Sequence, residues 1–122
     1  MRLSGKRIVL TGASSGIGKE LLEQLARFDV MIVAAARRAD IITEHKKELG
    51  ANGEKIHVAR CDVSVPSEID SLFDFALRAM GGVDIFIANA GFAYYEKCEK
   101  PDWGHLVKIF DTNVFSVIYS LL

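Results

Sequence analysis

Lys6-Arg7-Ile8-Val9-Leu10-Thr11-Gly12-Ala13-Ser14-Ser15-Gly16-Ile17-Gly18 is the stretch from which the architecture follows. Lys6 to Leu10 is a short β-branched run that stops at Thr11-Gly12. Ile17, Leu21, Leu25 and Phe28 then recur at spacings of three and four, the stripe expected of a helix facing a core. The unit is a strand, a glycine turn and a helix.

Further units follow on the C-terminal side. Val30 to Ala36 is a continuous apolar run, as for a strand covered on both faces, and Asp40 to Leu49 with Gly50 behind it reads as a helix with a glycine stop. Ile56-His57-Val58-Ala59 gives a third strand. After Pro66, the positions Ile69, Leu72, Phe73, Ala76 and Met80 form another helical stripe that ends before Gly81-Gly82. Val83 to Ala88 is a fourth apolar strand, Asn89 to Pro101 is irregular, and a final helix is expected from near Asp102. The order βαβαβαβα, with right-handed crossovers, predicts an α/β fold: a Rossmann-type doubly wound parallel sheet of order 3-2-1-4, with strand four at an edge.

Composition narrows the functional classes. The 122 residues are 50% hydrophobic and 25% charged, and 15 Lys plus Arg face 16 Asp plus Glu, a net charge of −1. That leaves no basic surplus to neutralise the phosphates of a nucleic acid. No apolar run approaches the ~20 residues of a membrane span. The N-terminus lacks the pattern of a secretory signal, so the expected compartment is cytoplasmic. Cys61 and Cys98 have no metal-ligand spacing and read as ordinary thiols, and no metal is expected.

The glycine turn lies where strand one passes into helix one, where backbone N–H groups and the positive helix end can hold a phosphate. Gly12 permits the tight turn, Gly16 allows close approach of a pyrophosphate, and Gly18 lets helix and strand pack; the hydroxyls of Ser14 and Ser15 can donate to phosphate oxygens. The plain alternative is a glycine-rich turn with no ligand. A P-loop, GxxxxGK[ST], would need glycine at Ala13 and Ser or Thr at Glu20, and fails at both.

The spacing GxxxGxG, together with Ala88-Asn89-Ala90-Gly91 after strand four, resembles the short-chain dehydrogenase/reductase family. Cys61-Asp62-Val63 closing strand three, Asp84 opening strand four, and Trp103 ten residues before Asn113 agree with it. The resemblance implies that Gly12, Ser14, Ser15, Gly16, Ile17 and Gly18 cradle the cofactor's phosphates. It also implies that Asp62, with the Val63 backbone, bonds the adenine ring, and that Asn89, Ala90 and Gly91 pass the adenosine-side ribose and fix the end of strand four. Asp62 as the cap of a turn, and Asn89 to Gly91 as small residues at a crowded strand end, are the plain alternatives. Ala88 stands where the family often has a first asparagine.

An acid at the end of strand two accepts from the ribose 2′-OH of NAD, whereas a guanidinium pairs with the 2′-phosphate of NADP. The sequence reads Ala35-Ala36-Arg37-Arg38, with no acid until Asp40, similar to NADP-preferring members. NADP is therefore expected, NAD less so, with Arg37 as the discriminating residue and solvated charge as the plain reading of both arginines.

Asn113 is the catalytic position that the resemblance gives: its backbone carbonyl would hold a water in a proton relay. A packing amide is the alternative, and its place among apolar positions demands partners. The family's serine and YxxxK, through which the whole enzyme reduces a small carbonyl compound or oxidises an alcohol, are not found: Tyr94 is followed four on by Cys98 and Tyr95 by Glu99, and Tyr119 has no residue at that distance. Tyr94 and Tyr95 read as loop residues, His57 as a core residue, and neither His45 nor His105 belongs to a catalytic pair.

The last helix presents Leu106, Ile109, Phe110, Val114, Val117, Ile118 and Leu121 on one face, with Val107, Phe115, Tyr119 and Leu122 opposite. It is expected to be buried nearly all round. With no terminal cap, residues 1–122 read as a partial, truncated NAD(P)-binding Rossmann domain, inactive alone and forming a homo-oligomer. The alternative is a non-catalytic module that holds a dinucleotide or packs against a partner.

Overall fold

The structure is a computed structural model that describes residues 2–91 and 103–121. Tyr94, Tyr95, Cys98 and the expected helix start at Asp102 lie outside those residues.

Four parallel strands, β1 (Lys6–Thr11), β2 (Val30–Ala36), β3 (Ile56–Arg60) and β4 (Ile85–Ile87), form a sheet of order β3-β2-β1-β4. The helices between them are α1 (Gly16–Leu25), α2 (Ala39–Glu48) and α3 (Pro66–Met80). A short 3-10 helix at Gly50–Lys55, which periodicity did not announce, leads into β3. β1 pairs with β2 from Lys6↔Val30 to Thr11↔Ala35, and with β4 from Ile8↔Ile85 to Leu10↔Ile87. The chain runs from β1 outward through β2 to β3 and then crosses back to place β4 on the other side of β1, which makes the β1/β4 boundary the switch point where open α/β sheets hold ligands.

The two-residue period of a strand divides the core. Ile8, Leu10, Ile32 and Ala34 face one side and pack with Leu22 and Leu25 of α1 and Ile42 of α2. Val9, Val33 and Ala35 face the other, against Ile69, Leu72, Ala76 and Met80 of α3. Side chains as fully buried as Ile8, Leu22 and Ile32 each contribute roughly 1.5–3 kcal/mol. Pro66 opens α3 at a position where no amide donor is needed, and Gly81, at φ +78°, closes it in the left-handed conformation.

Four expectations change. The buried residues of α1 are Gly18, Leu22 and Leu25, while Ile17 is 79% exposed and Phe28 is exposed beyond the helix end. The helix is rotated from the predicted face because a Cβ at position 18 would lie 2.0 Å from the Gly12 carbonyl oxygen, so only glycine can stand inward there. β4 is shorter than Val83 to Ala88, and its three residues are half-buried at the sheet edge.

The C-terminal helix is the third correction. It consists of α4 (Trp103–Phe110), a π-helical turn at Asp111–Phe115, and α5 (Ser116–Leu121). It is not buried all round: Trp103, Phe110, Phe115, Ile118 and Leu121 are exposed. Among the residues of this helix whose burial is described, Thr112 and Ser116 are buried, and the Ser116 hydroxyl donates to the Thr112 carbonyl. Their small side chains permit the close approach, and the Tyr119 phenol adds a bond to the Asp70 carboxylate of α3 at 2.9 Å. His57 is half-buried rather than core, whereas His45 of α2 is buried, its Nε2 lying 3.4 Å from Glu23 Oε2 on α1.

Candidate functional site

A cleft of about 460 Å³ opens at the carboxyl ends of the strands. Its floor is the glycine turn. Gly12, Ser14, Ser15, Gly16 and Ile17 line it, so the exposed Ile17 faces this space instead of the core. α1 begins at Gly16, and its N-cap Ser15 makes no side-chain capping bond, so the hydroxyl leaves the first-turn amides to other acceptors. A Cβ built at Gly16 meets no atom within 4 Å, although its φ of +56° disfavours any other residue.

The turn is fastened to the end of β4. Thr11 Oγ1 accepts the Asn89 and Ala90 amides, each at 3.2 Å, and Asn89 Nδ2 donates to the Gly12 carbonyl at 3.2 Å. Asn89 thus fixes the strand-four end, and Asn89, Ala90 and Gly91 all reach the cleft. Thr11, buried at 2% exposure, escaped the sequence reading because its partners are 78 and 79 residues away. Gly18 does not line the cleft; it lies behind it, against the Gly12 carbonyl.

Arg37 and Arg38 line the side of the cleft at the end of β2, both exposed. Asp62 and Val63 face it from the end of β3. Asp62 Oδ1 accepts the Ser64 hydroxyl at 2.6 Å and the Ser64 amide at 3.0 Å. The residue therefore caps a turn while lining the cleft. Partial burial pushes its carboxyl up, but the two Ser64 bonds, with Arg37 and Lys108 nearby, outweigh this and hold it below the ordinary range. Cys61, also in the wall, is buried, and desolvation pushes its thiol up to about 11, which leaves it an unreactive thiol at neutral pH.

Asn113 is exposed and does not line the cleft; Thr112 does. The Asn113 side chain stands close to Gly91, where an added Cβ would come within 2.9 Å of its Oδ1. The expected catalytic position is thus beside the cleft, in the π turn. Among the described residues no group of three His, Cys, Asp or Glu side chains could hold a metal ion, and no helix is long and apolar enough to cross a membrane.

An open parallel sheet with a glycine-lined cleft at its switch point defines a Rossmann-type nucleotide-binding fold. The short chain dehydrogenase family profile matches residues 6–121, and the chain belongs to the short-chain dehydrogenase/reductase family. It is 34% identical over 119 residues to farnesol dehydrogenase of Aedes aegypti, covering 96% of this chain and 49% of that protein. A short-chain dehydrogenase/reductase from Burkholderia phymatum, solved in complex with NAD, superposes with a TM-score of 0.91 at 28% identity, over 99% of this chain and 43% of that one. An alcohol dehydrogenase from Thermococcus sibiricus, complexed with 5-hydroxy-NADP, gives 0.89 at 28% identity, over 97% and 51%. The chain spans about half the length of the curated relatives it matches, 49% and 46% for two of them.

Proposed function

We propose that residues 1–122 are the partial NAD(P)-binding Rossmann domain of an NADP-preferring short-chain dehydrogenase/reductase. The observation that carries this reading is the meeting, in one cleft, of the uncapped start of α1 with Arg37 at the end of β2. The residues present fit the cofactor: Gly16 leaves open space where a Cβ would stand, and Arg37 follows Ala36 where an NAD-preferring site has an acid.

When bound, the dinucleotide supplies or accepts a hydride at its nicotinamide ring. Gly12, Gly16 and the Ile17 amide hold its phosphates, with Ser14 and Ser15 donating from their hydroxyls, while Gly18 behind the cleft lets the turn pack closely enough to present them. Arg37 would pair with the 2′-phosphate, charge against charge. Asp62 and the Val63 backbone receive the adenine; Asn89, Ala90 and Gly91 flank its ribose. Asn113 holds a relay water through its backbone carbonyl, a role supported by the π turn, which takes carbonyls out of the regular helical ladder.

The substrate is a small carbonyl compound or alcohol, and the full-length form acts on it. The chain by itself does not turn it over, because none of its tyrosines has a lysine four residues on. The protein works in the cytoplasm as a homo-oligomer and binds no nucleic acid. Titration with NADPH and with NADH tests the reading: NADPH binds more tightly if it holds, and equal affinities overturn it.

A further inference from the structure

The turn that carries Asp62 is held from α3 by one side chain. Glu68 is the third residue of α3, and its Oε1 accepts the Asp62 amide at 3.1 Å and Arg60 Nη1 at 2.7 Å. Its backbone carbonyl accepts the Cys61 thiol at 3.5 Å. Three consecutive residues, where β3 leaves the sheet for the cleft, are tied to one glutamate.

A glutamate at this helical position ordinarily turns back to the amide of the N-cap residue. Here the N-cap is Val65, whose amide already donates to the Asp62 carbonyl at 3.1 Å. Glu68 reaches past it to the Asp62 amide, three residues earlier. Arg60 compensates the charge on Oε1, although its own side chain is 64% exposed against 30% for Glu68. The Asp62 carboxylate and carbonyl are occupied within the turn, by Ser64 and Val65, so the amide bond to Glu68 is what sets the orientation of the turn as a whole.

We propose that Glu68, with Arg60 as its counter-ion, is a positioning residue that fixes where the Asp62–Val63 backbone stands in the cleft and thereby sets affinity for the adenosine end of a dinucleotide. The inference rests on the reading of the cleft as a dinucleotide site. Loss of the carboxylate frees the Asp62 amide to turn toward water and carries the Val63 backbone with it. Glu68→Gln keeps an acceptor for that amide and gives up the ion pair with Arg60, which is exposed and contributes little.

The experiment is calorimetric titration of the wild-type protein, Glu68→Ala and Glu68→Gln with 2′,5′-ADP and with NADPH, alongside thermal melting of each. Glu68→Ala is expected to weaken both ligands by the same factor, about tenfold. Glu68→Gln should restore affinity to within about threefold, whatever either substitution does to the melting temperature. If Glu68→Ala is already unfolded at the working temperature, Glu68→Asp, one methylene short of the Asp62 amide, takes its place with the same expectation. Unchanged affinity in the Ala or Asp variant, or a Gln variant as weak as Ala, overturns the inference and leaves the dinucleotide site standing. A wild-type protein that binds neither ligand overturns both.

Discussion

Arg7 and Asp84 are joined through side chain and backbone at once. Arg7 Nε and Nη2 donate to the two carboxylate oxygens of Asp84, each at 3.0 Å, and the Arg7 amide adds a bond to Oδ2 at 2.9 Å. The Asp84 amide returns a bond to the Arg7 carbonyl at 2.8 Å. The pair locks the start of β1 to the residue that precedes β4, on the sheet edge where pairing is weakest. Arg7 is further confined by Gly82, where an added Cβ would lie 2.5 Å from Nη1.

Asp84 therefore makes stability depend on pH. The Arg7 side-chain bond, and then the Arg7 amide, hold its carboxyl at about 2 in place of an ordinary 3.8. A depressed carboxylate contributes stability that is complete above the unfolded-state value and is lost as pH falls through the folded-state one. Asp84→Asn is expected to lower the urea midpoint at neutral pH. The gap to wild type narrows between about pH 4 and 2. A gap that stays constant down to pH 2 would contradict the pairing.

Thr11 offers a test of the join between glycine turn and β4. Thr11→Val keeps the shape and removes the acceptor of two amides, so it is expected to cost roughly 1–3 kcal/mol in urea unfolding. Thr11→Ser, which keeps the oxygen, should cost less than half as much. Equal losses would mean that the methyl group and not the hydroxyl holds the turn.

Gly16 and Gly18 should respond differently, one chiefly in binding and the other in stability. Gly18→Ala drives a methyl into the Gly12 carbonyl and is expected to destabilise the fold by about 3 kcal/mol or more, seen as a lower melting temperature. Gly16→Ala meets open space, so only its left-handed backbone opposes it, at about 1–2 kcal/mol, while its methyl enters the proposed phosphate position and weakens NADPH binding. A Gly16→Ala protein that binds NADPH as wild type does would remove the phosphate from that place.

Trp103, Phe110, Phe115, Ile118 and Leu121 are all exposed along α4, the π turn and α5, more large apolar side chains than one short segment usually leaves in water. The chain at micromolar concentration is expected to scatter light as a dimer or larger species. A monodisperse monomer would count against self-association.

Much of the fold was legible because the β/α alternation is written in local signals. The continuous run Val30 to Ala36 announced a doubly covered strand, and Gly50 and Gly81 announced helix ends. The face of α1 was not legible. Ile17, Leu21 and Leu25 fit a helical stripe by spacing, but the steric contact between Gly18 and Gly12 sets the rotation, and glycine carries no hydrophobic signal. The last helix read as wanting burial nearly all round, more than this chain could supply; apolarity did not say which side meets the rest of the chain, where Thr112 and Ser116 turn inward and Tyr119 bonds Asp70 of α3. Gly12, Gly16, Gly91, Arg37, Asp62 and Asn89, singled out by motif and position, all line the cleft, whereas Gly18 lies behind it. Thr11, Glu68 and Thr112 were not legible in this way, since their importance lies in partners or walls that only folding brings close.

The central claim is that Arg37 makes the cleft prefer a 2′-phosphate. The direct measurement is the pair of dissociation constants for NADPH and NADH, by calorimetry, in wild type and in Arg37→Asp. Wild type should bind NADPH more tightly, and Arg37→Asp, which puts an acid beside the ribose 2′ position and repels a phosphate there, should reverse the order. Equal affinities in wild type, or an order that the substitution leaves unchanged, would contradict it.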